Sequence, residues 1–175
     1  MMRLVLMLTL FSVSSICISQ ERISGEFTTK HIIWPHIVQL NGPMVETNEG
    51  SKKMIVKGGY LANAFLIFDS TNPVIPNNSI AASQGIMFVE QVGADITLKG
   101  RTRWMLNEED HIYGIVRRND GTMAEEDAGG NGLIIITGGS GKLSGIRGKC
   151  KYYVKYLDLG YAVNREKCKW YIKGK

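Results

Sequence analysis

Apolar and polar positions alternate with a period of two along much of the chain. Ile96, Leu98, Gly100, Thr102, Trp104 and Leu106 fall on one face, and Thr97, Lys99, Arg101 and Arg103 on the other. Side chains two apart share a face in an extended strand, so this stretch predicts a half-buried strand and not a helix. Leu133 to Thr137 is a short continuous apolar run rich in isoleucine, which predicts a more deeply buried strand. His111 to Arg118 predicts another, followed by a turn at Asn119-Asp120-Gly121. Tyr60 to Phe68 suits a helix or a strand; Gly58-Gly59 before it and Pro73 after it favour the strand. Pro73, Pro76, Asn77 and Asn78 make Asp69 to Ser79 the longest loop. Twenty glycines, scattered Asn and Asp and short apolar runs fit many strands joined by turns, with no internal repeat or linker.

The last hairpin is the most legible part. Cys150, Tyr152, Val154 and Tyr156 share one face of a strand, and Lys149, Lys151 and Lys155 share the other. On the return strand Cys168, Trp170 and Ile172 share a face, opposite Lys167, Lys169 and Lys173. A turn near Asp158 to Gly160 brings positions 150 and 168 opposite each other, close enough for a disulfide. Close spacing such as Cys-x-x-Cys, the mark of a redox-active pair, is absent, so the bridge is expected to be structural.

The first residues read differently. Arg3 supplies a positive charge, Leu4 to Val13 an apolar run, and Ser14 to Ser19 a small-residue stretch suited to signal peptidase. That run is about ten residues, roughly half of what a membrane span needs. Ile16 stands where a small residue would precede a lipidated Cys17. The expected division is therefore a signal peptide over 1–19 and a single β-barrel domain over 20–175, exported to the periplasm or beyond, with no membrane span. Cys150 and Cys168 then form an even pair in an oxidising compartment.

The formal charge of +5 is unevenly placed: ten Lys and Arg follow position 141, against only Asp158 and Glu166. Lys149, Lys151, Lys167 and Lys169 form a candidate anion-binding face for a cell-surface polymer or lipid head group. Few aromatics interleave with these lysines, apart from Tyr153 and Tyr171. A single-stranded nucleic-acid platform would want more of them, so no nucleic-acid partner is expected.

Candidate chemistry is sparse. Gly138-Gly139-Ser140-Gly141-Lys142 has part of a phosphate-loop pattern, but Ile136 stands at the required first glycine and Leu143 at the required Ser or Thr. The cluster is better read as a tight connection between strands, needing positive φ. His31 and His36 would point to opposite faces of one strand, and His111 adjoins an acidic turn at Glu108 to Asp110, so no metal site and no cofactor are expected. Glu90, within the apolar run Ile86-Met87-Phe88-Val89, is the candidate general acid or base; an inward orientation would raise its pKa.

From Gly138 to Gly148 the pattern Gly-Gly-Ser-Gly-Lys-Leu-Ser-Gly-Ile-Arg-Gly, followed by an alternating strand, resembles bacterial calycin-like barrels, including exported proteins like allene oxide cyclase barrels. Gly138, Gly139, Gly141, Gly145 and Gly148 carry the likeness. The segment from Trp104 through Gly129-Gly130 and the ending from Cys150-x-Tyr152 to Cys168-x-Trp170 extend it over roughly residues 84 to 170, about half the chain. The resemblance implies a barrel and little about activity: some such proteins are cyclases acting on a reactive polyene or epoxide, and many have no assigned reaction. No cyclase residue maps onto a position here.

The expected fold is all-β: a small antiparallel barrel of about eight strands, calycin-like, with a disulfide-tied C-terminal hairpin. Leu98, Trp104, Tyr152 and Trp170 are the expected barrel lining. Three functions compete: non-catalytic binding of a small apolar ligand, which fails if the interior is fully packed; a cyclase or isomerase using Glu90, which fails if Glu90 faces solvent; and envelope-anion binding by the lysine face. The oligomeric state is left open, since no exposed apolar strand predicts an interface.

Overall fold

The period-two pattern is built into strands long enough to close on themselves. The computed structural model describes residues 22–33, 38–39, 44–48, 53–122, 128–157 and 161–173. Its strands are β1 (Ile23–Ile33), β2 (Val38–Gln39), β3 (Met44–Asn48), β4 (Lys53–Ser70), β5 (Ile80–Val92), β6 (Asp95–Met105), β7 (His111–Thr122), β8 (Gly129–Gly139), β9 (Ile146–Tyr156) and β10 (Ala162–Ile172). From β4 to β10 each strand pairs antiparallel with the next in sequence. β1 then pairs with both β10 and β4, which completes an eight-stranded antiparallel barrel. β2 and β3 pair with the first part of β4, beyond the point where β1 ends. Closure leaves no unpaired edge among the eight strands, so their backbone groups are satisfied without help from a partner.

The pleat sorts residues as the alternation requires. In β6, Ile96, Thr102 and Trp104 are buried while Thr97, Lys99, Arg101 and Arg103 are exposed. In β10 the buried set is Ala162, Asn164, Glu166, Cys168 and Trp170, with Arg165, Lys167 and Lys169 outside. Cys150 and Cys168 are directly opposed in the β9–β10 register with Cα atoms 3.9 Å apart, and are bonded. Their disulfide closes a loop spanning 18 residues, worth about 3 kcal/mol through the entropy it removes from the unfolded chain.

One end of the barrel is sealed. Phe27, Phe68 and Trp104 meet edge to face, with ring centroids 5.1, 6.0 and 6.4 Å apart, a geometry that suits the ring quadrupoles. Below them Ile75, from the 71–79 loop, and Leu143 are fully buried plugs. The prolines that stop β4 thus create a loop whose one large apolar side chain caps the core. Asn72 holds that loop: its Oδ1 accepts from the Val74 N–H, and its carbonyl from the Ile75 N–H.

Leu143 belongs to a single 3-10 turn, Gly141–Leu143, between β8 and β9. Gly141 has φ +56° and Gly145 φ +80°, the left-handed region the glycine motif predicts. The loop also binds an anion, but that anion is the chain's own Asp110. Its carboxylate accepts from the Lys142 N–H at 2.8 Å and from Asn107 Nδ2 at 2.9 Å. A Cβ on Gly141 would lie 2.2 Å from Asp110 Oδ1, so glycine is required there by space as well as by φ. These bonds, Asn107 first, hold the Asp110 carboxyl below the usual range.

Two expectations need correction. Asn119-Asp120-Gly121 is not a turn: β7 runs on to Thr122, and its pairing with β8 shifts register between Arg117 and Asp120. An extra residue is absorbed as a bulge, so turn-forming residues bend the strand without ending it. Secondly, an exposed apolar strip does exist. Ile80, Ile86 and Phe88 of β5 and Phe65 and Ile67 of β4 all project outward, with Ile67 opposite Ile80. The reason is the apolar run in β5, which supplies Met87 and Val89 to the inside and Ile86 and Phe88 to the outside. The expected signal segment, His36 and the Asp158 to Gly160 turn lie outside the described residues.

Candidate functional site

Opposite the sealed end the barrel is hollow. A cavity of about 530 Å³ is walled by residues of all eight barrel strands, among them Met87, Val89, Leu98, Val116 and Ile134. Space arises because the inward positions of successive strands include Gly85, Gly100, Gly114 and Gly132. Gly132 lies under the Tyr152 ring, where a Cβ would come within 2.3 Å of ring carbon. The glycine lets that ring lie flat against β8 instead of filling the lumen.

Set into this apolar wall are two groups of polar side chains. The first is centred on Glu166, 3% exposed. Thr29 donates its hydroxyl hydrogen to Glu166 Oε2 at 2.9 Å, and Asn164 Nδ2 donates to Oε1 at 3.1 Å. His31 Nε2 stands 2.6 Å from the Thr29 hydroxyl and 3.3 Å from Glu166 Oε2. Because the Thr29 hydrogen is already given to the carboxylate, the network assigns the Nε2 hydrogen to the imidazole, which donates to Thr29. Thr29 and Asn164 thus donate directly to the buried carboxylate, and His31 backs Thr29 and stands beside it. Three neighbours therefore surround a charge that would otherwise be costly to remove from water.

The second group joins Arg118 of β7 to Tyr156 of β9. Arg118 is 1% exposed and its Nη2 donates to the Tyr156 hydroxyl. Among the described residues its Nε is buried with no hydrogen-bond partner, as is Oδ1 of Asn164. Tyr152 lies between the two groups on β9. Burial pushes its phenol well above the ordinary tyrosine range, and the nearby Arg118 charge offsets only part of this.

Leu98, Trp104 and Tyr152 line this cavity. Trp170 faces inward too, but packs at the sealed end against Gly25 and Gly148, where a Cβ would come within 2.9 and 3.0 Å of it. Glu90 is corrected: it is exposed, on the outer face of β5 with Ile86 and Phe88, and its register partner is Lys57. The pleat turns its neighbours Val89 and Gln91 into the cavity instead. Lys149, Lys151, Lys167 and Lys169 are exposed on the outer wall, with Lys151 opposite Lys167 and Lys149 opposite Lys169. Lys169 is paired with Glu26 at 2.9 Å.

The polar lining was missed, although a signal was present. Counting back in twos from Cys168 gives Glu166, Asn164 and Ala162, and counting forward from Ile112 gives Gly114, Val116 and Arg118. Charged residues in phase with an apolar face mark a polar interior. Sequence spacing sets His31 beside His36, whereas its partners in the fold, Thr29 and Glu166, are on the same and the neighbouring strand.

A closed eight-stranded antiparallel barrel with one sealed end and a partly polar cavity is consistent with the calycin-like fold. Compared with protein-family models, curated proteins and solved structures, the chain has no match.

Proposed function

We propose that the protein is an exported, non-catalytic carrier of a small, mainly apolar ligand held inside the barrel. The observation that carries this reading is the cavity of about 530 Å³, of a size and lining usual for small-molecule sites. A barrel with eight strands has just enough interior to be filled by its own side chains or to keep one ligand, and the inward glycines favour the second outcome. The cyclase or isomerase reading loses Glu90, its acid or base, to the outer face. Glu166 is enclosed but already held by three neighbours.

Native mass spectrometry of the protein purified from its exporting host tests the reading. A reproducible added mass that disappears on denaturation, and is absent from Ala62→Phe, supports it, since Ala62 lines the cavity. An unliganded mass, with no uptake of apolar probes by the purified protein, sinks it.

A second reading is favoured by the outer wall. Lys149, Lys151, Lys167 and Lys169 form a block on two adjacent strands, and Arg147, Lys155 and Arg165 extend it. Glu166 adds no negative charge to that wall, because it points inward. We infer attraction to an anionic envelope surface, separate from the cavity.

A further inference from the structure

We propose that the carried ligand is an amphipathic carboxylic acid and that Arg118 takes its carboxylate. This rests on the carrier reading and names the chemical class which that cavity selects. A guanidinium stays charged at any pH at which the protein is folded. Removing it from water is costly unless acceptors and a counter-charge replace the solvent. Arg118 is 1% exposed and lines the cavity, yet the protein meets only part of that need. Nη2 has the neutral Tyr156 hydroxyl, and Nε is buried with nothing to donate to. Among the described residues no carboxylate lies within ion-pairing distance of Arg118. Glu166, on the same cavity wall, is bound by Thr29, Asn164 and His31 instead.

A ligand carboxylate beside Nε supplies the missing acceptor and the counter-charge together. Its two coplanar oxygens match the flat donor edge of a guanidinium. The Tyr156 hydroxyl accepts from Arg118, so its own hydrogen remains available for the second oxygen. Leu98, Met87, Val89, Val116 and Ile134 make the remaining wall hydrocarbon, which sets the rest of the ligand as apolar. A doubly charged head group is disfavoured by the Glu166 carboxylate in the same cavity.

The test is a fluorescence titration of the full chain with a conjugated eighteen-carbon polyene acid and, separately, with its methyl ester. The native protein should bind the acid at least about tenfold more tightly than the ester, the scale expected of a charge-assisted hydrogen bond. Arg118→Met should remove that preference by weakening the acid while leaving ester affinity unchanged, and Arg118→Lys should restore part of it. Equal affinity of the native protein for acid and ester overturns the carboxylate assignment and leaves the carrier reading standing. Binding of neither probe overturns both. The comparison on the native protein decides the matter even if Arg118→Met fails to fold.

Discussion

Asp110 and Tyr152 show how single side chains take their properties from what the barrel places beside them. Asp110 is held by the Lys142 N–H and by Asn107, so Asp110→Ala should cost about 1–3 kcal/mol, the usual loss for hydrogen bonds to a charged group. Its folded-state pKa is lowered. The contribution is therefore complete above the unfolded carboxyl value near 4 and is lost as pH falls through the lowered folded value. Urea unfolding at pH 7 and pH 3 should show the native protein and Asp110→Ala converging at the acid end. Tyr152 has the opposite sign, since burial raises its folded pKa. Its neutral phenol stabilises the fold fully below the unfolded value of about 10, and that contribution drains away as pH climbs above it. Absorbance titration should show a phenol ionising after the exposed tyrosines, and Tyr152→Phe should remove that late step. A Tyr152 signal that titrates with the exposed tyrosines would contradict the buried position.

At the scale of elements, the β9–β10 hairpin is both the best predicted part and the part with the clearest mechanical test. The two cysteines sit on the inward face of neighbouring strands, where register alone brings them together. Replacing both with serine should lower the unfolding free energy by about 3 kcal/mol, read as a lower denaturant midpoint, and reductant should shift the native protein by a similar amount. No shift on reduction would mean the hairpin is held entirely by its ladder and the core. β8 offers a second test through its glycine. Gly132→Ala puts a methyl group into the Tyr152 ring, so the ring must swing into the cavity. We expect a loss of about 1–3 kcal/mol, the cost of overpacking, together with weaker uptake of apolar probes. An alanine tolerated with full binding would show that the ring is not pinned where it lies.

For the whole molecule, the barrel separates two chemistries that share the same strands. Inward residues of β9 and β10, among them Tyr152, Tyr156, Asn164 and Glu166, contribute to the polar part of the cavity, and outward residues of the same strands make the basic wall. If that wall attracts anionic surfaces, binding to vesicles rich in anionic lipid should weaken steeply between about 0.05 and 0.5 M salt, since the Debye length shrinks over that range. Lys151→Glu with Lys167→Glu should abolish it without changing uptake of an apolar probe. Binding indifferent to salt, or unchanged in the double variant, removes this second reading. The exposed apolar strip on β4 and β5 lies elsewhere on the same outer surface.

Local pattern by itself determined the strands of the β9–β10 hairpin, the inward set of β6, the cysteine pairing and the left-handed glycines of the β8–β9 loop. Each depends on residues close in sequence or on a period of two, and such signals survive without knowledge of the partners. The same period already held Glu166 and Arg118 in phase with apolar faces. What they do there was settled only by closure, because Thr29, His31 and Tyr156 come from strands far away in the chain. The orientation of Glu90 was likewise open: its run is apolar on both faces, so parity had no polar face to anchor it. Tertiary structure also decided that the interior is hollow. Which glycines face the lumen, and which rings they let lie flat, follows from how curved strands pack around one another, a relation between faces that no single strand encodes.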